Sequence, residues 1–184
     1  MAILLLVMLS LTDGIPIIKA LREGLTANRI QWLTGIINGT TNFILSEMRD
    51  KGLDFDVALK EAQRLGYAEA DPTFDIEGID AAHKATLMSA IAFGIPVQFD
   101  RAYVEGITQL AAADIQYAEQ LGYRIKLLGM SKRREGEGVE LRVHPTLIPA
   151  RRLIANVEGA INATIWPGHL IGAPTLRTLT PYDH

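Results

Sequence analysis

There is no cysteine in this 184-residue sequence. That excludes disulfides and thiolate chemistry and fits a reducing, cytoplasmic compartment. No H-E-x-x-H, P-loop or G-x-G-x-x-G occurs in it, so the short metal and nucleotide signatures are missing. His83, His144 and His169 lack metal-ligand spacing and read as structural or exposed, which leaves no metal site expected. The apolar run over Met1–Leu11 (MAILLLVMLSL) is too short to span a bilayer and lacks the basic start and cleavage site of a secretory signal. It reads as a buried helix or strand, with no membrane partner. A basic surplus is missing too: net charge is −3, which points away from nucleic acid. The clusters Lys132-Arg133-Arg134 and Arg151-Arg152 are short and read as solvated turns.

What is present suits one soluble globular domain over residues 1–184, with 48% apolar and 21% charged residues and enough length for a core of its own. Gly14-Ile15-Pro16 opens a predicted helix to about Glu23, closed by Gly24. Arg29 to Ile37 reads as a buried strand. Asn38-Gly39-Thr40-Thr41-Asn42 reads as a tight turn into a helix over Phe43 to Asp50. Its glycine allows close backbone approach, and free N–H groups at the helix start suit an anion. A plain turn with a threonine cap is the competing reading. Asp56 to Leu65 predicts an amphipathic helix with Val57, Leu59, Ala62 and Leu65 on or near one face, closed by Gly66. Leu-Gly-Tyr recurs at Leu121-Gly122-Tyr123, the same helix-closing solution used again. Further along, Tyr103 to Ile107, Tyr123 to Met130, Val139 to Val143 and Asn156 to Ile165 read as strands, with a charged turn over Lys132 to Gly138 and a helix over Ala111 to Gln120. The pattern predicts an α+β fold: a mixed β-sheet with helices packed on one face. Trp166 to His184 is rich in breakers and carries no helical period.

One stretch is dense in chemistry. Gly66 to Lys84 sets Glu69, Asp71, Asp75, Glu77 and Asp80 ahead of a single Lys84. Pro72 favours an extended Asp71, and Asp75 is placed to cap a new helix running to about Phe93. That helix should bury Leu87, Ala90 and Ile91 and stop at Gly94, before Pro96. Asp80 and Lys84, four apart, share one helical face. By spacing alone such a pair is more often a solvated surface ion pair. A calcium loop fails, because with Gly78 at the sixth position Thr73 and Lys84 would fill the first and twelfth.

The order Gly-Tyr-Ala-Glu-Ala-Asp-Pro-Thr-x-Asp-Ile-x-Gly-x-Asp-Ala-x-x-Lys over residues 66–84 resembles the signature of homoserine dehydrogenase. By these motifs the likeness runs from about Gly14 to Asn162, leaving atypical ends at 1–13 and 163–184. The resemblance implies NAD(P)-dependent interconversion of aspartate semialdehyde and homoserine, on the path to threonine, methionine and isoleucine. It implies Lys84 as proton source, held by Asp80. Glu69 would take the substrate ammonium beside Tyr67, Asp75 the hydroxyl end or the lysine, and Gly39 and Thr40 the carboxylate. A homodimer through the sheet is implied as well. The family's nucleotide-binding domain is expected to lie outside these residues. Its monovalent-cation site is expected to be lost, since Met8 replaces the glutamate and Leu11, Thr12 and Asp13 form the turn. Two functions follow from different classes: the substrate-binding part of an oxidoreductase, or a non-catalytic dimerisation module.

Overall fold

The structure, a computed structural model, describes Glu23 and residues 30–136, 138–168 and 171–179, with side chains to Ile165. The expectations for Met1–Leu11, for Gly14–Gly24 apart from Glu23, for the cation turn and for His169 lie outside the described residues. Among the described residues six strands form one sheet in the order β2-β4-β3-β1-β5-β6. They are β1 (Trp32–Ile36), β2 (Tyr103–Val104), β3 (Tyr123–Arg134), β4 (Gly138–Pro149), β5 (Asn162–Gly168) and β6 (Ile171–Leu179). All neighbours pair antiparallel except β2 and β4, so the sheet is mixed, as predicted. The helices are α1 (Gly39–Lys51), α2 (Phe55–Arg64), the single turn α3 (Thr73–Ile76), α4 (Ile79–Phe93) and α5 (Ala112–Gln120).

The main core joins Leu33, Leu127 and Val143 of the sheet to Ile44 and Met48 of α1, Ala58 and Ala62 of α2, and Ala81, Ala85 and Met88 of α4. Strand alternation sends Ile36, Leu128 and Ala163 to the opposite face. There they pack beneath the 3₁₀ turn Leu153–Asn156 in a smaller core with Ile148 and Val157.

Several boundaries differ from the sequence reading. The supposed turn at Asn38–Asn42 is already helix, because the Asn38 carboxamide caps α1 by accepting from Thr41 N at 2.8 Å. On α2 it is Ala58 and Ala62 that are buried, while Val57 and Leu65 are exposed. On α4 Leu87 is buried, with Ala90 and Ile91 only partly so. The hairpin of β3 and β4 is longer than its apolar stretches suggest. β3 runs through Lys132-Arg133-Arg134: Arg134 Nε donates to Glu140 of β4 at 2.7 Å, and Arg133 lies over the Phe93 ring at the end of α4. β4 continues through Pro145, beyond the two residues at which β2 pairs with it, where an open edge tolerates proline. Tyr103–Ile107 contributes only a two-residue strand. Residues 156–161 are 3₁₀ turn and loop before β5, and within the breaker-rich tail residues 166–168 and 171–179 belong to the antiparallel strands β5 and β6.

Candidate functional site

The Gly66–Lys84 segment is fixed from both ends. Behind it, α2 closes with the Schellman pattern: Gly66 has φ +80°, its N–H reaches Gln63 O, and Tyr67 N reaches Ala62 O at 2.9 Å. This delivers Tyr67 O to the Thr40 hydroxyl, which donates to it at 2.7 Å, and sets the Tyr67 ring 4.7 Å from that of Phe43. Ahead of it, the chain turns at Gly78 (φ +76°) between α3 and α4. Asp71 accepts from Thr73 N and Thr73 Oγ1, organising the start of α3.

Asp75 was expected to cap the long helix. It lies instead inside α3, and Gly78 occupies the N-cap of α4. The reason is the αL turn, which only glycine makes without strain and which ends α3 after one turn. The Asp75 carboxylate thereby faces the start of α1, where Asn38 Nδ2 donates to it at 2.6 Å.

The same amide nitrogen donates to Asp80 Oδ2 at 3.0 Å, and Lys84 Nζ meets that oxygen at 2.8 Å. The Asp80 and Lys84 side chains are only 12% and 11% exposed, so this is no solvated surface pair. Asn38, Asp75, Asp80 and Lys84 thus form one network linking α1, α3 and α4. Burial pushes the Asp75 carboxyl above its ordinary range, and the nearby Asp80 adds to this; the Asn38 bond, Lys84 and Thr40 pull it back.

Thr40 and Tyr67 stand at the rim of this network. Gly39, the first residue of α1, packs against a neighbouring segment: a Cβ there would lie 2.7 Å from Ala160 O. Glu69 is exposed on the loop, and Gln63 Nε2 bonds its backbone carbonyl at 3.0 Å. The residue that sequence reasoning missed is Asn38. Its bonds to Asp75 and Asp80 cross 37 and 42 residues, beyond any local spacing signal. Among the described residues no group of His, Asp and Glu side chains is arranged to hold a metal ion.

The arrangement offers an ammonium and two carboxylates at an edge with limited water access. The first-turn N–H groups of Gly39 and Thr40 have no partner one turn back along the helix. Such a set can hold a small zwitterion and exchange a proton with it.

A profile for the homoserine dehydrogenase family matches residues 16–178, further toward the C-terminus than the motifs alone suggest. A homoserine dehydrogenase of Pseudomonas aeruginosa is 66% identical over 164 residues, covering 89% of this chain and 38% of the relative. The crystal structure of a homoserine dehydrogenase from Thiobacillus denitrificans superposes with a TM-score of 0.86 at 74% identity, over 90% of this chain and 38% of that one. A hyperthermophilic archaeal homoserine dehydrogenase in complex with NADPH matches with a TM-score of 0.70 at 29% identity, over 89% of this chain and 45% of that one. The chain therefore spans about two fifths of the length of the relatives it matches.

Proposed function

The chain belongs to the homoserine dehydrogenase family, and from that membership we propose that the Asn38–Asp75–Asp80–Lys84 corner is the substrate site for interconverting aspartate semialdehyde and homoserine. The observation that carries this reading is the half-sealed Lys84–Asp80 pair inside the family's own segment. As the aldehyde is reduced, negative charge grows on its oxygen, and an ammonium placed there stabilises that charge and supplies the proton. Lys84 fills this role, with Asp80 holding the ammonium in place. Glu69 takes the substrate's α-ammonium beside Tyr67, and the first-turn N–H groups of Gly39 and Thr40 take its carboxylate. Asp75, favoured toward its neutral form by burial, bonds the hydroxyl end.

NAD(P) supplies or accepts the hydride in this reaction. The described residues offer no glycine-rich cradle for a dinucleotide, so the steps assigned here are those of the substrate side alone. The wider reading is a cytoplasmic enzyme of threonine, methionine and isoleucine synthesis. It acts as a homodimer that uses the sheet face opposite the helices, where Met130 and Ile165 are partly buried at the edge of the smaller core. No described helix is long and apolar enough to cross a membrane.

Titrating homoserine into the ¹⁵N-labelled chain tests the site. The amides of Gly39, Thr40, Glu69 and Asp75 should shift together. Millimolar homoserine that moves none of them would sink the reading. Adding NADP and following absorbance of the reduced cofactor then separates turnover from a dimer that binds without reacting.

A further inference from the structure

A second ammonium, outside the proposed chemistry, is sealed in the fold. Lys126 of β3 is 1% exposed and interrupts the apolar run Ile125–Leu128. Its Nζ donates to Val157 O at 2.6 Å and to Asn42 Oδ1 at 2.9 Å. Asn42, equally buried, turns its Nδ2 to the carbonyls of Val157, Gly159 and Ile161 at 3.2, 2.9 and 3.1 Å. Gly159 N in turn donates to Ser46 Oγ at 3.2 Å. The segment 157–161 is therefore fastened to the first turns of α1, close enough that Gly39 has no room for a side chain beside Ala160.

Among the described residues no carboxylate bonds the Lys126 ammonium. The nearby Glu158 Oε1 is taken by Arg49 at 2.9 Å and Arg124 at 3.0 Å. Burial, with Arg49 and Arg124, pushes Lys126 down to about 8, while Glu158 and Asp50 oppose the shift. An apolar side chain would avoid this cost, so the lysine calls for a reason. Lysine has only donors, whereas a carboxamide has one donor end and one acceptor end. Lys126 thus dictates which way Asn42 points, and the Nδ2 end is aimed at the loop.

We propose that Lys126 and Asn42 are positioning residues. Together they lock the 157–161 segment onto α1 and so hold Asn38, Gly39 and Thr40 in register with Asp75 and Asp80. The inference rests on the substrate-site reading for its functional meaning, but its structural arm can be tested alone.

Two variants separate the possibilities. Lys126→Met removes the donor, and Asn42→Asp keeps an acceptor for Lys126 while losing the bonds to the loop. In the 184-residue chain, either should speed amide exchange at Thr41 and Asn42, which are bonded to Asn38, by about tenfold relative to amides of α4. The homoserine dissociation constant should rise by about tenfold as well. A merely structural role would lower the folded fraction and leave the affinity of folded molecules unchanged. Unchanged exchange at the first turn of α1, or acceleration spread evenly over the chain, overturns the lock. If Lys126→Met does not fold, Asn42→Asp decides the matter. A parent chain that binds no homoserine overturns the site reading instead, and the exchange arm still decides whether the lock exists.

Discussion

Lys84 and Lys126 each bring a primary ammonium to a largely covered position, and their surroundings differ in kind. Lys84 sits on a helix beside a carboxylate, which a second polar group, Asn38, also holds. Lys126 sits on a strand against a carbonyl and a carboxamide, both neutral, with Arg49 and Arg124 near enough to disfavour its charge. The first keeps slight access to solvent at 11% side-chain exposure, while the second is closed at 1%. An ammonium that must trade protons with a substrate needs a counter-charge and an opening. One that only orients an amide needs neither, and can be closed off at the cost that burial sets on its charge.

The sharpest way to break this comparison is to remove each ammonium in turn. In a complete enzyme carrying this region, Lys84→Met should lower kcat by about 10²–10⁴-fold, the range for losing a positioned acid. The chain should still fold, at reduced stability, because Asp80 loses its counter-charge but keeps its bond from Asn38. Steady-state absorbance of the reduced nicotinamide and a thermal melt provide the two readings. Normal turnover with a damaged melt would take Lys84 out of the chemistry and leave it a merely structural group. Lys126→Met should show the reverse order, with local exchange and affinity changed before the chemistry.

A substitution that touches no charge sharpens the contrast further. Gly106 lies against the break between α3 and α4, and Ile107 N bonds Ile76 O at 2.8 Å. A Cβ on Gly106 would come within 2.3 Å of Ile76 O and 2.5 Å of Glu77 Cα, both backbone atoms that cannot swing aside. Gly106→Ala should destabilise the chain by roughly 1–3 kcal/mol, the usual cost of overpacking, read as a lower urea midpoint. Because the displaced residues adjoin Asp75, homoserine affinity should fall as well. The Lys126 cluster, held by its own bonds to Asn42 and Val157, should keep its slow exchange. Loss of protection there would mean that the two regions are mechanically one.

The two lysines also differ in how far the sequence exposes them. The Asp80–Lys84 spacing is local, so helical periodicity finds it, and the glycines at 66 and 94 mark helix ends because αL backbone is needed there, whereas the local pattern reads as helix through the break at Gly78. The α+β class follows from the same local patterns. Lys126 leaves a fainter trace, a lone charge inside an apolar strand, and Asn42 only that it stands four residues after Asn38 on α1. Neither says which carbonyls they meet, since Val157, Gly159 and Ile161 lie 31 to 119 residues away. The strands through Lys132-Arg133-Arg134 and Pro145 escaped for a related reason. Arg133 lies over the distant Phe93 ring, and Pro145 falls where β4 has no β2 neighbour to need its N–H, neither of which local composition reveals.

The smallest effect expected is also the one with the most specific sign. Burial raises the Asp75 pKa in the folded chain above its ordinary value of 3.8. Between those two values the folded state binds more protons than the unfolded state, so stability falls as pH rises through the window. At pH 7 the charged Asp75 is therefore a net cost, partly offset by its bond from Asn38. Asp75→Asn stays neutral at every pH and can still accept from Asn38 Nδ2. It should be more stable than the parent at pH 7 by about 1 kcal/mol or less, a size typical of single substitutions. The gain should vanish below pH 3.8, where the parent carboxyl is protonated in both states. Paired urea titrations at the two pH values measure the difference, and homoserine affinity should weaken in the same variant. Such a trade, stability gained where binding is lost, marks a group kept for function. A loss of stability at pH 7 would instead make Asp75 a structural anchor and move it to Lys126's side of the comparison.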